Sequence, residues 1–158
     1  MRLSENQIIE LNLAIDSALN ILYENDHYLI RNKVHERSIV FWFSLYLHQT
    51  LALTDFVALN LDIEYNKNHS DPKNTMNFPN GTYPDMILHR RGSNDENILM
   101  IEFKTWWDNN TQTDIKKLKD FTDQNHPYKY GMGYSIVFTQ ERCEVQKTLA
   151  MNGEVCDE

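Results

Sequence analysis

Cysteine, glycine and proline are all scarce in this chain. Its 158 residues include 2 cysteines, 5 glycines and 4 prolines. Cys143 and Cys156, both near the C-terminal end, are too few for a disulfide framework or a four-cysteine zinc site. The composition therefore argues against a disulfide-stabilised secreted domain and fits a reducing compartment.

Long apolar runs are also missing. No stretch approaches the roughly 20 apolar residues that a membrane-spanning helix needs. Residues 1–7 are polar where a secretory signal would be apolar. We therefore expect a cytoplasmic protein that does not enter a membrane.

Positive charge is in deficit, with 15 Lys and Arg residues against 23 Asp and Glu residues and a formal net charge of −8. This balance argues against a broad nucleic-acid-binding surface, because Lys and Arg supply most of the affinity for phosphates. Any such contact must be local, bridged by a metal ion, or completed by a partner. Two basic patches are present, Arg90-Arg91 and the lysines at 116, 117 and 119, and solvated surface charge is their commoner explanation.

The apolar pattern predicts a single α/β domain with a mixed sheet, covering residues 1–158. Ser4 and Gln7 form a capping-box pattern before a helix predicted over 5–24. A second, strongly apolar helix is predicted over 34–53, and a third begins at 111–114. Strands are predicted over 56–66, 83–89, 98–105 and 134–138. The order is therefore helix, helix, three strands, helix, strand.

Two of these strands carry charge where a sheet core would exclude it. Residues 90–97 have turn chemistry, so strands 83–89 and 98–105 are expected to form a hairpin with Arg90 opposite Asn97. The same register puts Asp85 opposite Glu102, and Lys104 lies two residues further along the same strand face. Burying such a cluster is costly unless it binds a cation or takes part in chemistry.

Glu36 is a further carboxylate in an apolar setting. On a helix it shares a face with Val40, Phe43 and Leu47. A first-turn acid that stabilises the helix dipole explains it equally well. A partner elsewhere in the fold would favour a functional role.

Pro84-Asp85 followed by Glu102-Phe103-Lys104 resembles the PD-(D/E)xK signature of restriction-endonuclease-like nucleases. The similarity is to small bacterial members of that superfamily, and it spans about residues 33–139. It implies an αβββαβ core with a mixed central sheet flanked by helices, to which this chain adds an N-terminal helix. Further matching segments are Glu36-Arg37, Asp62-Ile63-Glu64-Tyr65-Asn66, His89-Arg90-Arg91-Gly92, Asp114 and Lys117-Leu118.

The resemblance implies a metal-dependent nuclease that hydrolyses phosphodiester bonds, with DNA as the favoured substrate. Asp85 and Glu102 would hold Mg²⁺ or Mn²⁺, because hard cations prefer oxygen ligands. The resemblance adds the carbonyl of Phe103 and the carboxylate of Glu36 to the metal site. Lys104 would orient or deprotonate the attacking water, and its protonation state is left open.

Four further residues are weaker candidates for contacting substrate. They are Glu64, His89, Arg90 and Arg91. An exposed strand carboxylate is the commoner explanation for Glu64, and a satisfied strand-end histidine explains His89 as well as substrate contact does. The polar loop 67–82 is the one segment that would serve as a recognition insertion. Cutting both strands of DNA calls for two sites, which a homodimer would provide; the alternative is a partner protein that supplies substrate affinity.

Two other interpretations stand beside the nuclease. In the first, the same fold is a non-catalytic binding or regulatory protein with a vestigial metal site. In the second, Asp85, Glu102 and Lys104 form a buried ion network with a purely structural role. Divalent-metal binding and cleavage distinguish the three.

Overall fold

Four α-helices form in the computed structural model, which describes residues 2–156. Helix α1 (Glu5–Asn25) begins with the predicted capping box, since Ser4 and Gln7 bond to each other's backbone N–H groups. The second predicted helix is confirmed as α3 (Glu36–Leu51), about two residues shorter at each end. Helix α4 spans Gln112–Thr122. The five-residue α2 (His27–Arg31) was not predicted.

Six strands make the central sheet. They are β1 (Asn60–Ile63), β4 (Met86–His89), β5 (Asn97–Thr105), β6 (Met132–Phe138), β7 (Gln146–Met151) and β8 (Glu154–Val155), adjacent in that order. Strands β5 and β6 run parallel, and the other neighbouring pairs run antiparallel. A separate short pair joins β2 (Lys67–Asn68) to β3 (Asp71–Pro72). The prediction of an α/β domain with a mixed sheet is therefore confirmed.

The predicted hairpin register holds along most of the β4–β5 ladder. Met86 pairs with Ile101, and Leu88 pairs with Leu99, as the register requires. A bulge after Leu88 then pairs His89 with Asn97, so the predicted Arg90–Asn97 pair is wrong. Strand β4 also begins at Met86 rather than residue 83, because Pro84 has no N–H for a ladder.

Helices cover both faces of the sheet. Met86, Leu88, Ile101 and Phe103 pack in the core formed with α1 and α3. Residues whose side chains point to the other face of the sheet, including Ile87 and Met100, pack against α4. The chain therefore folds into a helix–sheet–helix arrangement of three layers.

Helix α4 approaches the sheet closely because β6 has a glycine beneath it. A Cβ atom at Gly133 would lie 2.9 Å from Leu118 Cδ2 and 3.2 Å from Thr122 Cγ2. This close approach brings polar residues of the first turns of α4 over strand β5.

The end strands differ most from the prediction. The strand predicted over 56–66 shrinks to β1, because hydrogen-bonded turns occupy 51–59 and Glu64 adopts a left-handed φ of 51°. Strands β7 and β8 were not predicted. The sequence of β7 has no clear apolar alternation that would predict a strand. In the structure most of its residues are only partly buried.

The long polar loop is fixed to the domain rather than projecting from it. Lys73 is 2% exposed, and its Nζ donates to the Lys67 carbonyl at 2.7 Å. The same ammonium lies 5.1 Å from the ring centroids of Tyr65 and Tyr128. Tyr128 also bonds to both backbone groups of Asn74.

Among residues 2–156, no helix is both long enough and apolar enough to cross a bilayer.

Replacing Lys73 with Met is expected to change how stability depends on pH. Burial lowers the pKa of Lys73 to about 8, whereas the unfolded side chain keeps a pKa of about 10.4. Between these values the unfolded chain binds more protons, so the wild type gains stability as pH rises. Urea unfolding should show the wild type gaining about 2 kcal/mol relative to Lys73→Met between pH 8 and 10.

The matched control is Lys67→Met, which removes an exposed lysine of the same loop. This variant should keep the wild-type slope. Parallel pH profiles for Lys73→Met and the wild type would show that Lys73 is not a buried ammonium.

Candidate active site

Glu102 and Lys104 project from the same face of β5, toward α4. The intervening Phe103 points the other way and stacks on Phe138 in the α1–α3 core, with ring centroids 5.3 Å apart. Alternation along the strand therefore sets the direction of both charged side chains, as predicted from the sequence.

Glu102 is the most deeply buried of these charged groups, at 1% exposed. Its Oε2 accepts a hydrogen bond from Lys117 Nζ at 2.7 Å. Its Oε1 is fully buried and, within the part of the chain that the structure describes, has no hydrogen-bond partner. Burial raises the pKa of Glu102, the charge of Asp85 raises it further, and Lys117 opposes both effects.

Asp85 lies one residue before β4, at the end of the hairpin ladder. Its Oδ2 accepts from the Phe103 N–H at 2.8 Å. Its carbonyl oxygen accepts from the Glu64 N–H at 2.9 Å, which ties the end of β1 to the same corner. The predicted Asp85–Glu102 ladder pair does not form. The Asp85 carboxylate instead accepts from the backbone N–H of Phe103, the residue after Glu102. The two carboxylates still lie close enough for Asp85 to raise the pKa of Glu102.

Lys104 faces a carboxylate on α4. Its Nζ lies 3.6 Å from Asp114 Oδ2, and the Asp114 side chain is 4% exposed. Desolvation alone would lower the pKa of Lys104, but the nearby carboxylates, Asp114 most strongly, together raise it. Burial likewise raises the pKa of Asp114, against the effect of Lys104. Lys104 is therefore a charged ammonium in this environment.

Glu36 reaches the same region from the first turn of α3. Burial raises its pKa to about 7, Lys104 opposes the rise, and Asp85, Asp108 and Asp114 add to it. The charges of Lys104 and Asp85 act on Glu36, so its carboxylate lies in the neighbourhood of these two groups. This coupling favours the functional interpretation of its position.

We call these six groups the charged cluster. It comprises four carboxylates and two ammonium groups, which carry a net charge of −2 when all are ionised: Glu36, Asp85, Glu102, Asp114, Lys104 and Lys117. An uncompensated negative charge in a partly buried setting favours protonation, which the raised pKa values of Glu36 and Glu102 reflect, or the binding of a cation.

The four weaker candidates lie outside the charged cluster. Arg90 and Arg91 are exposed and pair with Glu96 and Asp62. His89 is 2% exposed and its Nε2 lies 2.9 Å from Asp62 Oδ2, at the opposite end of β4 from Asp85.

Glu64 is nearer to the charged cluster than the other three. Its Oε1 lies 2.8 Å from Nε of Arg37, and Arg37 directly follows Glu36 in the chain. Only Glu64 of the four therefore borders the site, through its backbone bond to Asp85.

Asp114 and Lys117 were not predicted as site residues. The interpretation of Lys117 as solvated charge is wrong, since its side chain is 17% exposed and paired. Lys116 and Lys119 are exposed, as expected. The helical spacing could have indicated their position. Lys117 follows Asp114 by three residues and precedes Phe121 by four, which puts all three on the sheet-facing side of α4.

The donor set fits a magnesium-type cation, which takes oxygen ligands and keeps several waters, so that one or two carboxylates suffice. Glu102 offers a buried oxygen without a partner, and Asp85 is partly exposed beside it. In the described ranges, no three acidic, histidine or cysteine side chains already converge on one point. The structure thus presents a pair of carboxylates and not a closed protein cage.

No known protein family, curated protein or solved structure matches this chain at a significant level.

Replacing Glu36 with Gln is expected to remove a loss of stability at rising pH. Its folded pKa of about 7 lies above the ordinary value of 4.5. In this interval the folded state binds more protons than the unfolded state, so stability falls as pH rises. Denaturant titrations should show the wild type losing about 1 kcal/mol relative to Glu36→Gln between pH 5 and 7.5, after allowance for solvent screening.

Glu5→Gln serves as the control, because Glu5 is an exposed acid in the first turn of α1. It should follow the wild type throughout. If Glu36→Gln also follows the wild type, Glu36 is not a carboxylate whose pKa is raised by burial in the folded state.

Proposed function

We propose that this chain is a divalent-metal-dependent nuclease that hydrolyses phosphodiester bonds, with DNA as the favoured substrate. One observation carries the proposal: a buried carboxylate, Glu102, has an oxygen without a partner beside Asp85, and Lys104 lies on the same strand face. A cation bound between the two carboxylates would satisfy this oxygen.

The chain order of elements supports the same proposal. Among the elements of the central sheet and its helices, α3 is followed by β1, β4 and β5, then by α4 and β6, with the separate β2–β3 pair inserted between β1 and β4. This is the order of helix, three strands, helix and strand that the restriction-endonuclease-like resemblance implies. Asp85 and Glu102 lie at one end of its central hairpin, as the motif requires.

Asp85 and Glu102 would hold Mg²⁺ or Mn²⁺, with the Phe103 carbonyl and Glu36 as the proposed further members of the site. When bound, such a cation supplies positive charge to a phosphate oxygen and lowers the pKa of coordinated water. The N–H of Phe103 fixes the Asp85 carboxylate in position, which limits the reorganisation needed for binding.

Lys104 is proposed to act as a charged group. Asp114 and the other carboxylates of the cluster hold its pKa above the ordinary value, so its ammonium is protonated at neutral pH. A protonated lysine orients a water molecule and stabilises negative charge on phosphate, but it does not accept a proton. In the metal-free protein Lys104 therefore fits orientation and charge stabilisation. A cation bound at Asp85 and Glu102 would lower the pKa of Lys104, which leaves deprotonation of water as the other role.

One observation favours a second candidate, a non-catalytic binding or regulatory protein on the same fold. Lys117 already neutralises Glu102 through a direct ion pair at 2.7 Å. Because of this ion pair, part of the negative charge of the cluster is neutralised without a metal ion. This candidate differs from the nuclease in lacking cleavage.

Cleavage assays on plasmid DNA, single-stranded DNA and RNA, each with Mg²⁺ and with Mn²⁺, test the proposal. We expect metal-dependent cleavage by the wild type and a loss of at least about 100-fold in Lys104→Ala, because a group that stabilises transition-state charge is removed. Glu102→Gln should lose activity to a similar degree.

Lys116→Ala is the matched control, since Lys116 is an exposed lysine that lies outside the charged cluster. It should retain activity within about twofold, as expected of a solvated surface charge, and thermal melts should show that each variant is folded. Metal binding without cleavage of any substrate would favour the non-catalytic candidate. Undiminished cleavage by Lys104→Ala would contradict the assigned role.

A further inference from the structure

Lys117 makes contacts that a metal ion would make. Its Nζ lies 2.7 Å from Glu102 Oε2 and 3.3 Å from the carbonyl oxygen of Tyr83. A carboxylate and a backbone carbonyl are both ligands that hard cations prefer. The ammonium therefore occupies a position at Glu102 that already has the chemistry of a cation site.

The position of Lys117 is enforced by packing. It projects from α4 three residues after Asp114 and next to the fully buried Leu118, and Gly133 lets this part of the helix approach the sheet. Its side chain is 17% exposed, whereas Glu102 is almost completely enclosed. Removing either charge alone would leave its partner buried and uncompensated.

We propose that Lys117 is a built-in counter-cation that a divalent metal must displace from Glu102 to bind. This inference rests on the proposed nuclease function, because it assumes that Glu102 is a metal ligand. Burial raises the pKa of Glu36 and of Glu102. Once both are ionised, the charged cluster has a net charge of −2 with both lysines present, so a divalent cation is attracted even while Lys117 is in place.

Displacement also gives Lys117 a second role. The Lys117 side chain is 17% exposed, so solvent reaches part of it. An ammonium displaced from Glu102 loses its direct ion pair and stays on α4, where the charges of Asp85 and Asp114 still act on it. The anionic phosphate of the substrate is then the group that replaces Glu102 as its partner.

Calorimetric titration of the metal-free protein with Mn²⁺, without substrate, tests the inference. Lys117→Met removes the competing charge, so it should bind Mn²⁺ about tenfold more tightly than the wild type, equivalent to about 1.4 kcal/mol. Lys116→Met, which alters an exposed lysine of the same helix, should bind as the wild type does. Lys117→Gln keeps a donor for Glu102 without the charge and provides a second variant if Lys117→Met folds poorly.

Thermal unfolding gives an independent readout. Metal-free Lys117→Met should melt below the wild type, and Mn²⁺ should raise its melting temperature by more than it raises that of the wild type. Unchanged or weaker Mn²⁺ binding in both Lys117 variants would overturn the inference.

Asp85→Asn separates this failure from failure of the proposed function. If the wild type binds Mn²⁺ and Asp85→Asn does not, the metal site stands whatever the Lys117 variants show. If the wild type binds no Mn²⁺ at millimolar concentration, the proposed function and this inference both fail.

Discussion

The charge of Glu102, buried within the central strand β5, is the constraint on which the rest of the site depends. This carboxylate is 1% exposed and lies between a core hairpin and a covering helix. An ionised carboxylate in such a setting is strongly unfavourable without a positive partner. A domain of this size gains only about 5 to 15 kcal/mol on folding, so the cost has to be offset locally.

The surrounding elements offset the cost of burying the Glu102 carboxylate only in part, which leaves carboxylate oxygens that could bind another cation. Helix α4 brings Lys117 to one oxygen of Glu102, and the other oxygen has no partner among residues 2–156. Asp85, held by a backbone N–H, adds a second carboxylate, and Asp114 keeps Lys104 charged. Carboxylates outnumber ammonium groups in the charged cluster, so ion pairing within it cannot neutralise every carboxylate when all are ionised.

The residues on the strands could be predicted from the sequence, because strand alternation and hairpin register depend on local spacing. Glu102 and Lys104 share a face, and the Met86–Ile101 register holds. The partners supplied by α4 could not be derived in the same way. From the sequence alone, Lys117 is indistinguishable from a surface lysine, because its burial depends on the packing of α4 on Gly133. Its contact with Glu102 also joins residues 15 positions apart in the chain. Strands β7 and β8 escaped prediction because their partly exposed residues give no apolar period.

Anomalous diffraction from crystals grown with Mn²⁺ tests the central claim most directly, since it locates the cation without reference to activity. The account predicts an anomalous peak about 2 Å from a carboxylate oxygen of Glu102 and from one of Asp85. It also predicts that Lys117 Nζ has moved away from Glu102. Saturating Mn²⁺ with no peak between these carboxylates, and with the Lys117–Glu102 pair intact, would contradict it.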